Sequence, residues 1–430
     1  MSSILIKDAL IVTQNENRDI IKGDIYIEDG RISEISPSIH LEAEHVLDRK
    51  GQVVIPGLIN THNHISMTLM RSLADDVHLN EFLERTFAVD SRRTREDVLA
   101  GSMLGVLELI KSGTTAFVDM YYWEDETAKA VVEGGIRGFL GWAVLDEDKS
   151  TQKGAPIKNA ENFIREFREK DMIYPLPAVQ GVYAASEETF LAARELAERY
   201  DTIAHLHLSE TRMEVYEHEK RTGKRPAEWL DHIGFFYDQV LAAHSTWLTI
   251  NEVRILARNG VSVAHCPASN MKLATGGYAP LPEMFREGVN VSLATDGCAS
   301  NNNMDMLEEM KVCSLMHKAH RWDATVLDAQ KTLDLATING AKALHMEHEI
   351  GSIEVGKRAD IAILNGRSER MLPLSKSTAV SNIVYSAQGG DVLSTIADGR
   401  LLMKNRVVLS MNEEEVLDMA EKRSGELLKN

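Results

Sequence analysis

Through the middle of the chain, short apolar runs alternate with longer amphipathic stretches. The runs cover 52–55, 114–119, 138–145, 176–180, 202–208, 240–244, 262–265 and 290–296. The stretches between them, such as 94–111 and 186–200, carry helical periodicity, the second opening on Ser186 as a cap with Glu188 in its first turn. Eight such alternations predict an α/β protein with a parallel sheet, and eight strands close a (β/α)8 TIM barrel. Near-continuous apolar strands fit a sheet covered on both faces. The two ends read differently. Segments 4–12, 23–28 and 31–35 are short strand candidates, with Asp29-Gly30 as a hairpin turn. Segments 360–364, 392–397 and 400–404 repeat the pattern, with Asp398-Gly399 as the turn. The two ends are therefore expected to build one small composite β-sandwich domain. Its first part would span 1–56, the barrel 57–354, and its second part plus a terminal helix 355–430. Glu413-Glu414-Glu415 opens that helix as a solvated N-terminus, where negative charge is favoured.

Composition narrows the partners. The 430 residues, 44% of them hydrophobic, suffice for a barrel of about 250 residues and a satellite. A net charge of −18 argues against nucleic acid and anionic membranes, which need clustered Lys and Arg. Cys266, Cys298 and Cys313 are odd in number and form no C-x-x-C pair, so neither a disulfide framework nor a thiolate zinc knuckle is expected. The stretch Met1–Asp8 shows no basic-then-apolar leader, and no run approaches the ~18 apolar residues of a membrane span. The expected setting is cytoplasmic, with a small molecule as substrate.

A barrel places its chemistry at the C-terminal ends of its strands. His62 and His64 follow the first run and, two apart in extended chain, face the same way. His205 and His207 lie at the end of the fifth run, His244 ends the sixth, and Asp296 ends the eighth. Imidazoles with a carboxylate suit zinc, iron or a similar ion, and a catalytic site leaves one position open for water.

Longer motifs surround these residues: Pro56-Gly57-Leu58-Ile59-Asn60-Thr61-His62-Asn63-His64, Met67–Arg71, His207-Leu208-Ser209-Glu210-Thr211, Ala264-His265-Cys266-Pro267-Ala268-Ser269-Asn270, Thr295–Asn302 and Gly351–Asp360. Through them the chain resembles the amidohydrolase superfamily along nearly its whole length. Within it, the chain is most similar to the methylthioadenosine/S-adenosylhomocysteine deaminase and s-triazine hydrolase branch. The resemblance implies one divalent ion, zinc with iron as the alternative, held by His62, His64, His207 and Asp296. Members with two ions use a lysine at the end of strand four, where this chain has Gln180. The ion would acidify a water, from a pKa of 15.7 to about 7, for attack on the ring carbon bearing the amine. Asp296 would take the water's proton, His244 would hydrogen-bond the attacking oxygen, and Glu210 would protonate the ring nitrogen. A homo-oligomer, dimer or tetramer, is also implied.

Departures from the family pattern shape the substrate expectation. Where adenosine-type members carry a ribose-holding glutamate, Asp90 is the nearest match. Gln180 replaces a Pro-His pair and offers both donor and acceptor to a ring edge. Trp142 is a candidate ring-stacking residue, with core packing as its other reading. No arginine suited to an amino-acid carboxylate follows strand three, which disfavours S-adenosylhomocysteine. The expected activity is hydrolytic deamination of an amino-substituted N-heterocycle. An adenosine-type nucleoside such as 5'-methylthioadenosine or 5'-deoxyadenosine, or a related purine or pyrimidine, fits best. The alternative is an s-triazine amino- or chlorohydrolase, or a free-base deaminase. Among the remaining polar residues, His205 is read as a core histidine, with a group supporting the ligands from behind as its other reading, and His265 as a structural or pocket-edge group. Cys266 and Cys298 are read as small buried thiols, and His317, His320, His345 and His348 as solvated or capping groups. Ser300 and Asn301 are expected to hold the loop that positions Asp296.

Overall fold

The computed structural model describes residues 3–150 and 155–429; Met1 and Ser2 of the N-terminal stretch read above lie outside them. Eight parallel strands run in sequential order around a barrel: Leu58–Asn63, Thr114–Tyr121, Arg137–Val144, Ile173–Val179, Ala204–Leu208, Val240–His244, Ser262–His265 and Val291–Leu293. Alternate residues face opposite sides. Ile59, Val118, Phe139, Leu176, Ala243 and Ala264 fill the interior, while Phe117, Leu140, Leu206 and Val263 pack outward against the helices. That double burial is why the strands read as unbroken apolar runs. Helix Arg95–Lys111 opens with a reciprocal cap between Thr94 and Asp97, and helix Glu187–Tyr200 opens on the Ser186 hydroxyl.

The first expected barrel strand is corrected. Residues 52–55 do not enter the barrel: Val53–Pro56 is a strand of the other sheet, antiparallel to Ile361–Leu364 and parallel to Ile4–Val12. Barrel strand one is the next segment, Leu58–Asn63, so His62 lies within a strand rather than after one. Gly57 makes the passage between sheets, and a Cβ there would sit 2.1 Å from the Thr115 hydroxyl, so no side chain fits.

The ring closes between strands one and eight mainly through side chains. Asp296 N donates to His62 O at 3.1 Å, while the Asn60 side chain accepts from Thr295 N at 3.1 Å and donates to the Thr295 hydroxyl at 2.7 Å. This seam fixes His62 against Asp296.

The second sheet has nine strands drawn from both ends of the chain, around a core of Ile4, Ile6, Ile11, Ile25, Ile27, Ile361 and Ile363. Its two hairpin turns abut: a Cβ on Gly399 would lie 2.5 Å from the Cα of Gly30. The terminal helix Glu413–Leu427 lies against helix Arg95–Lys111, with Arg423 donating to Asp97 at 2.8 Å and Lys111 paired with Glu413. Glu413 is therefore partnered as well as favourably placed for the helix dipole. Among the described residues, no helix is long and apolar enough to cross a membrane.

Candidate metal centre

Four histidines and one aspartate converge at the C-terminal mouth of the barrel. The register of strand one is irregular between Asn60 and Asn63, and such a bulge re-aims side chains. His62 and His64 end with ring centroids 4.8 Å apart and planes at 83°. His207 comes from strand five, His244 from strand six, and Asp296 from the turn after strand eight. His244 and Asp296 hold left-handed backbone, with φ of 68° and 62°. Each such non-glycine residue costs on the order of 1–3 kcal/mol, a strain that clusters at functional sites.

Hydrogen bonds set which ring nitrogen faces inward. A carbonyl only accepts, so the Nδ1 of His64 donates to Met120 O at 2.7 Å and the Nδ1 of His207 donates to Gln180 O at 2.8 Å. Both rings then present a bare Nε2 to the cluster. His62 is set through a neighbouring ring. His205 Nδ1 donates to Leu241 O at 2.8 Å, so His205 Nε2 is an acceptor and receives the His62 Nδ1 proton at 2.8 Å. His62 Nε2 is thereby also bare, and it is buried without a hydrogen-bond partner. His205 is thus more than a core histidine: it is the buried relay that orients His62.

These bare nitrogens surround one point. His64 Nε2 lies 3.4 Å from His207 Nε2, and Asp296 Oδ1 lies 3.5 Å from His62 Nε2 and 3.3 Å from His64 Nε2. Ligands about 2.0–2.2 Å from a tetrahedral ion stand about 3.4 Å apart. The donor set and its orphaned His62 nitrogen therefore fit a divalent ion of the zinc or iron class.

Electrostatics agree. Burial holds the His62 imidazolium down, to a pKa of about 4, and drives His205 and His207 well below the usual range, so these rings stay neutral. Burial alone would raise the Asp296 carboxyl, but the close approach of His62 and the neighbouring His64 and His244 hold it well below the carboxylate range. Its Oδ2 accepts from the hydroxyls of Ser269 at 2.6 Å and Ser300 at 3.0 Å. Asn301 donates to Thr295 O and to Glu309, both at 2.8 Å. Ser300 and Asn301 thus sit as the sequence suggested, whereas Ser269 and Glu309 were missed.

The remaining sequence candidates divide. Glu210 lies on the rim, its Oε2 3.8 Å from His244 Nε2, and burial raises its pKa. Its backbone N–H and that of Ser209 are both held by the buried Glu214 carboxyl, at 2.9 and 3.0 Å. Asn270 meets His244 Nδ1 at 3.1 Å. Gln180 is at the mouth, gives its carbonyl to His207, and donates its side-chain amide to the Tyr183 hydroxyl at 3.1 Å. Asp90 reaches the rim through Tyr121, whose hydroxyl it accepts and whose ring lies 6.2 Å from His64. Trp142 is not brought to the site. It points outward from strand three, 5.8 Å from the Phe163 ring of helix Pro156–Phe167, so the ring-stacking expectation gives way to core packing. His317 also departs from expectation: it is fully buried, 3.1 Å from His265, not solvated.

Comparison with known proteins points the same way. Residues 53–402 match the amidohydrolase family. A 5'-deoxyadenosine deaminase of Methanosarcina mazei is 41% identical, over 100% of this chain and 99% of its own. A 5-methylthioadenosine/S-adenosylhomocysteine deaminase of Thermococcus onnurineus is 42% identical over 94% and 95%. The crystal structure of an adenosine deaminase from Xanthomonas campestris with bound zinc superposes with a TM-score of 0.95 at 31% identity, over 99% of both chains.

Proposed function

Because the chain belongs to the amidohydrolase family, we propose that it removes the amino group of an adenosine-type nucleoside by hydrolysis and releases ammonia. 5'-Deoxyadenosine and 5'-methylthioadenosine are the substrates that the full-length relatives' names suggest. The observation that carries the reading is the pairing of a three-imidazole, one-carboxylate cluster with a carboxylic acid, Glu210, on its rim. Hydrolysis of the bond between a ring carbon and its amino group needs both: an activated water for the carbon and a proton for the adjacent ring nitrogen.

His62, His64, His207 and Asp296 would hold the ion, zinc by analogy with the zinc-bound adenosine deaminase structure. When bound, it supplies Lewis-acid activation of a water. The chain's own groups do the rest. Asp296, its Oδ2 fixed by two hydroxyls and its Oδ1 by the Gly297 N–H, takes the water's proton. His244 faces the rim through Nε2 and steadies charge on the attacking oxygen. Glu210, whose acid form burial favours, donates to the ring nitrogen, so that electrons from the attacked C=N bond settle there. The tetrahedral carbon collapses as the amine leaves with the proton Asp296 collected, and the remaining hydroxyl proton passes to Glu210 as the carbonyl forms, which restores the acid. Asp90 would meet ribose hydroxyls, and Gln180, braced by Tyr183, the ring edge.

The test is an array of 5'-deoxyadenosine, 5'-methylthioadenosine, adenosine, adenine and a chloro-s-triazine, monitored for both ammonia and chloride. Ammonia from the 5'-modified nucleosides with no chloride is the expected result. Chloride release, or ammonia from none of them, contradicts it.

A further inference from the structure

A second group of ligand-type side chains lies behind the barrel wall. Ala264 and Cys266 line the interior, so His265 between them points outward. Helix Met306–Arg321 covers that side and presents Cys313 and His317, four residues apart and so on one face. His265, Cys313 and His317 are 1%, 0% and 0% exposed, and their ligand atoms all lie within 4.8 Å of one another. The two Nε2 atoms stand 3.1 Å apart. The catalytic pair His64 and His207 shows the same Nε2-to-Nε2 approach, at 3.4 Å. A hydrogen bond between His265 and His317 engages only one nitrogen of each ring, and both Nδ1 atoms remain buried without partners. Two buried imidazoles and a buried thiol thus face one another across an apolar strand–helix layer, with the two Nε2 atoms already drawn together in the manner of a ligand pair.

We infer that His265, Cys313 and His317 form a second, structural site for one thiophilic ion of the Zn2+ class. Two imidazoles and a thiolate select zinc over magnesium or calcium, which prefer oxygen ligands. Two imidazole nitrogens on a tetrahedral ion stand about 3.3 Å apart, close to what is seen. Binding exchanges the Cys313 thiol proton for the metal–sulfur bond, with one proton released to solvent. The ion would pin helix Met306–Arg321 to strand seven, directly before Ser269 and Asn270, which hold Asp296 and His244. The inference stands apart from the substrate reading.

Sulfur separates the two sites, because the catalytic cluster has no thiolate. Enzyme produced with zinc and dialysed against metal-free buffer is expected to hold two ions per chain. Replacing zinc with Co2+ is expected to give a sulfur-to-cobalt charge-transfer band in the near ultraviolet. Cys313→Ala should lose that band and one ion, and keep the other. One ion per chain and no band in the unmodified protein, a measurement that needs no variant to fold, overturns the inference. So does a second ion without the band, or a band that survives Cys313→Ala.

Discussion

Replacing His205 with phenylalanine tests the relay behind the metal cluster. The ring volume is roughly kept, but the Nε2 that accepts the His62 proton at 2.8 Å is removed, and so is the donor to Leu241 O. His62 is fully buried, so its Nδ1–H is left without a partner or water. An unsatisfied buried donor costs about 1–3 kcal/mol. That strain favours turning the His62 ring, which withdraws Nε2 from the cluster. At about 1.4 kcal/mol per tenfold, zinc affinity should fall about 5- to 150-fold, a span that brackets the ~10–100-fold loss typical when partners of metal-ligating histidines are removed. Competition with a chromogenic chelator measures this directly. At saturating zinc, kcat should recover most of its value, since no group that touches substrate has changed. Zinc affinity within twofold of the unmodified protein would refute the tautomer chain from Leu241 to His62.

Other consequences are as specific. Glu210→Gln keeps the shape of the rim but has no proton to give, so kcat should fall about 10²–10⁴-fold with the zinc content unchanged. Burial raises the pKa of Glu210 above that of an exposed glutamate, so its acid form survives to higher pH than an exposed glutamate's and is lost as pH rises through that raised pKa. The alkaline limb of the kcat profile should therefore belong to Glu210 and be missing from the residual activity of the variant; a retained limb assigns it elsewhere. Glu214→Gln should lower kcat more than it raises KM, because the carboxyl accepts both backbone N–H groups that aim Glu210 and an amide nitrogen repels one of them. An unchanged kcat would deny it that role. Trp142→Ala should cost up to about 3 kcal/mol in urea unfolding, from lost packing on Phe163, and leave KM unaltered; a large rise in KM would return Trp142 to the substrate.

The barrel and the convergence of polar side chains at its mouth were legible because they depend on position along strands: polar residues at the ends of apolar runs stand out. What was misread depends on which side of a strand or helix a residue takes. In Arg137–Val144 nearly every residue is buried, so the sequence carries no inside–outside alternation to say that Trp142 faces the helices. The same ambiguity left His205 open between core packing and support of His62 from one layer behind the mouth. Strand one was misplaced because Val53–Pro56 and Leu58–Asn63 are consecutive strands of different sheets, joined only by Gly57, and the more apolar of the two was taken for the barrel. Glu214 was hidden in a Thr-x-x-Glu pattern after Thr211, which looks like an ordinary helix start.

The most direct test is ammonia release from 5'-deoxyadenosine by enzyme stripped of its ion, then titrated with zinc. Activity absent after stripping and restored by zinc in stoichiometric amounts, with His62→Ala protein staying inactive at the same zinc, is the outcome predicted. Undiminished ammonia release from enzyme shown by elemental analysis to be free of metal would contradict the account.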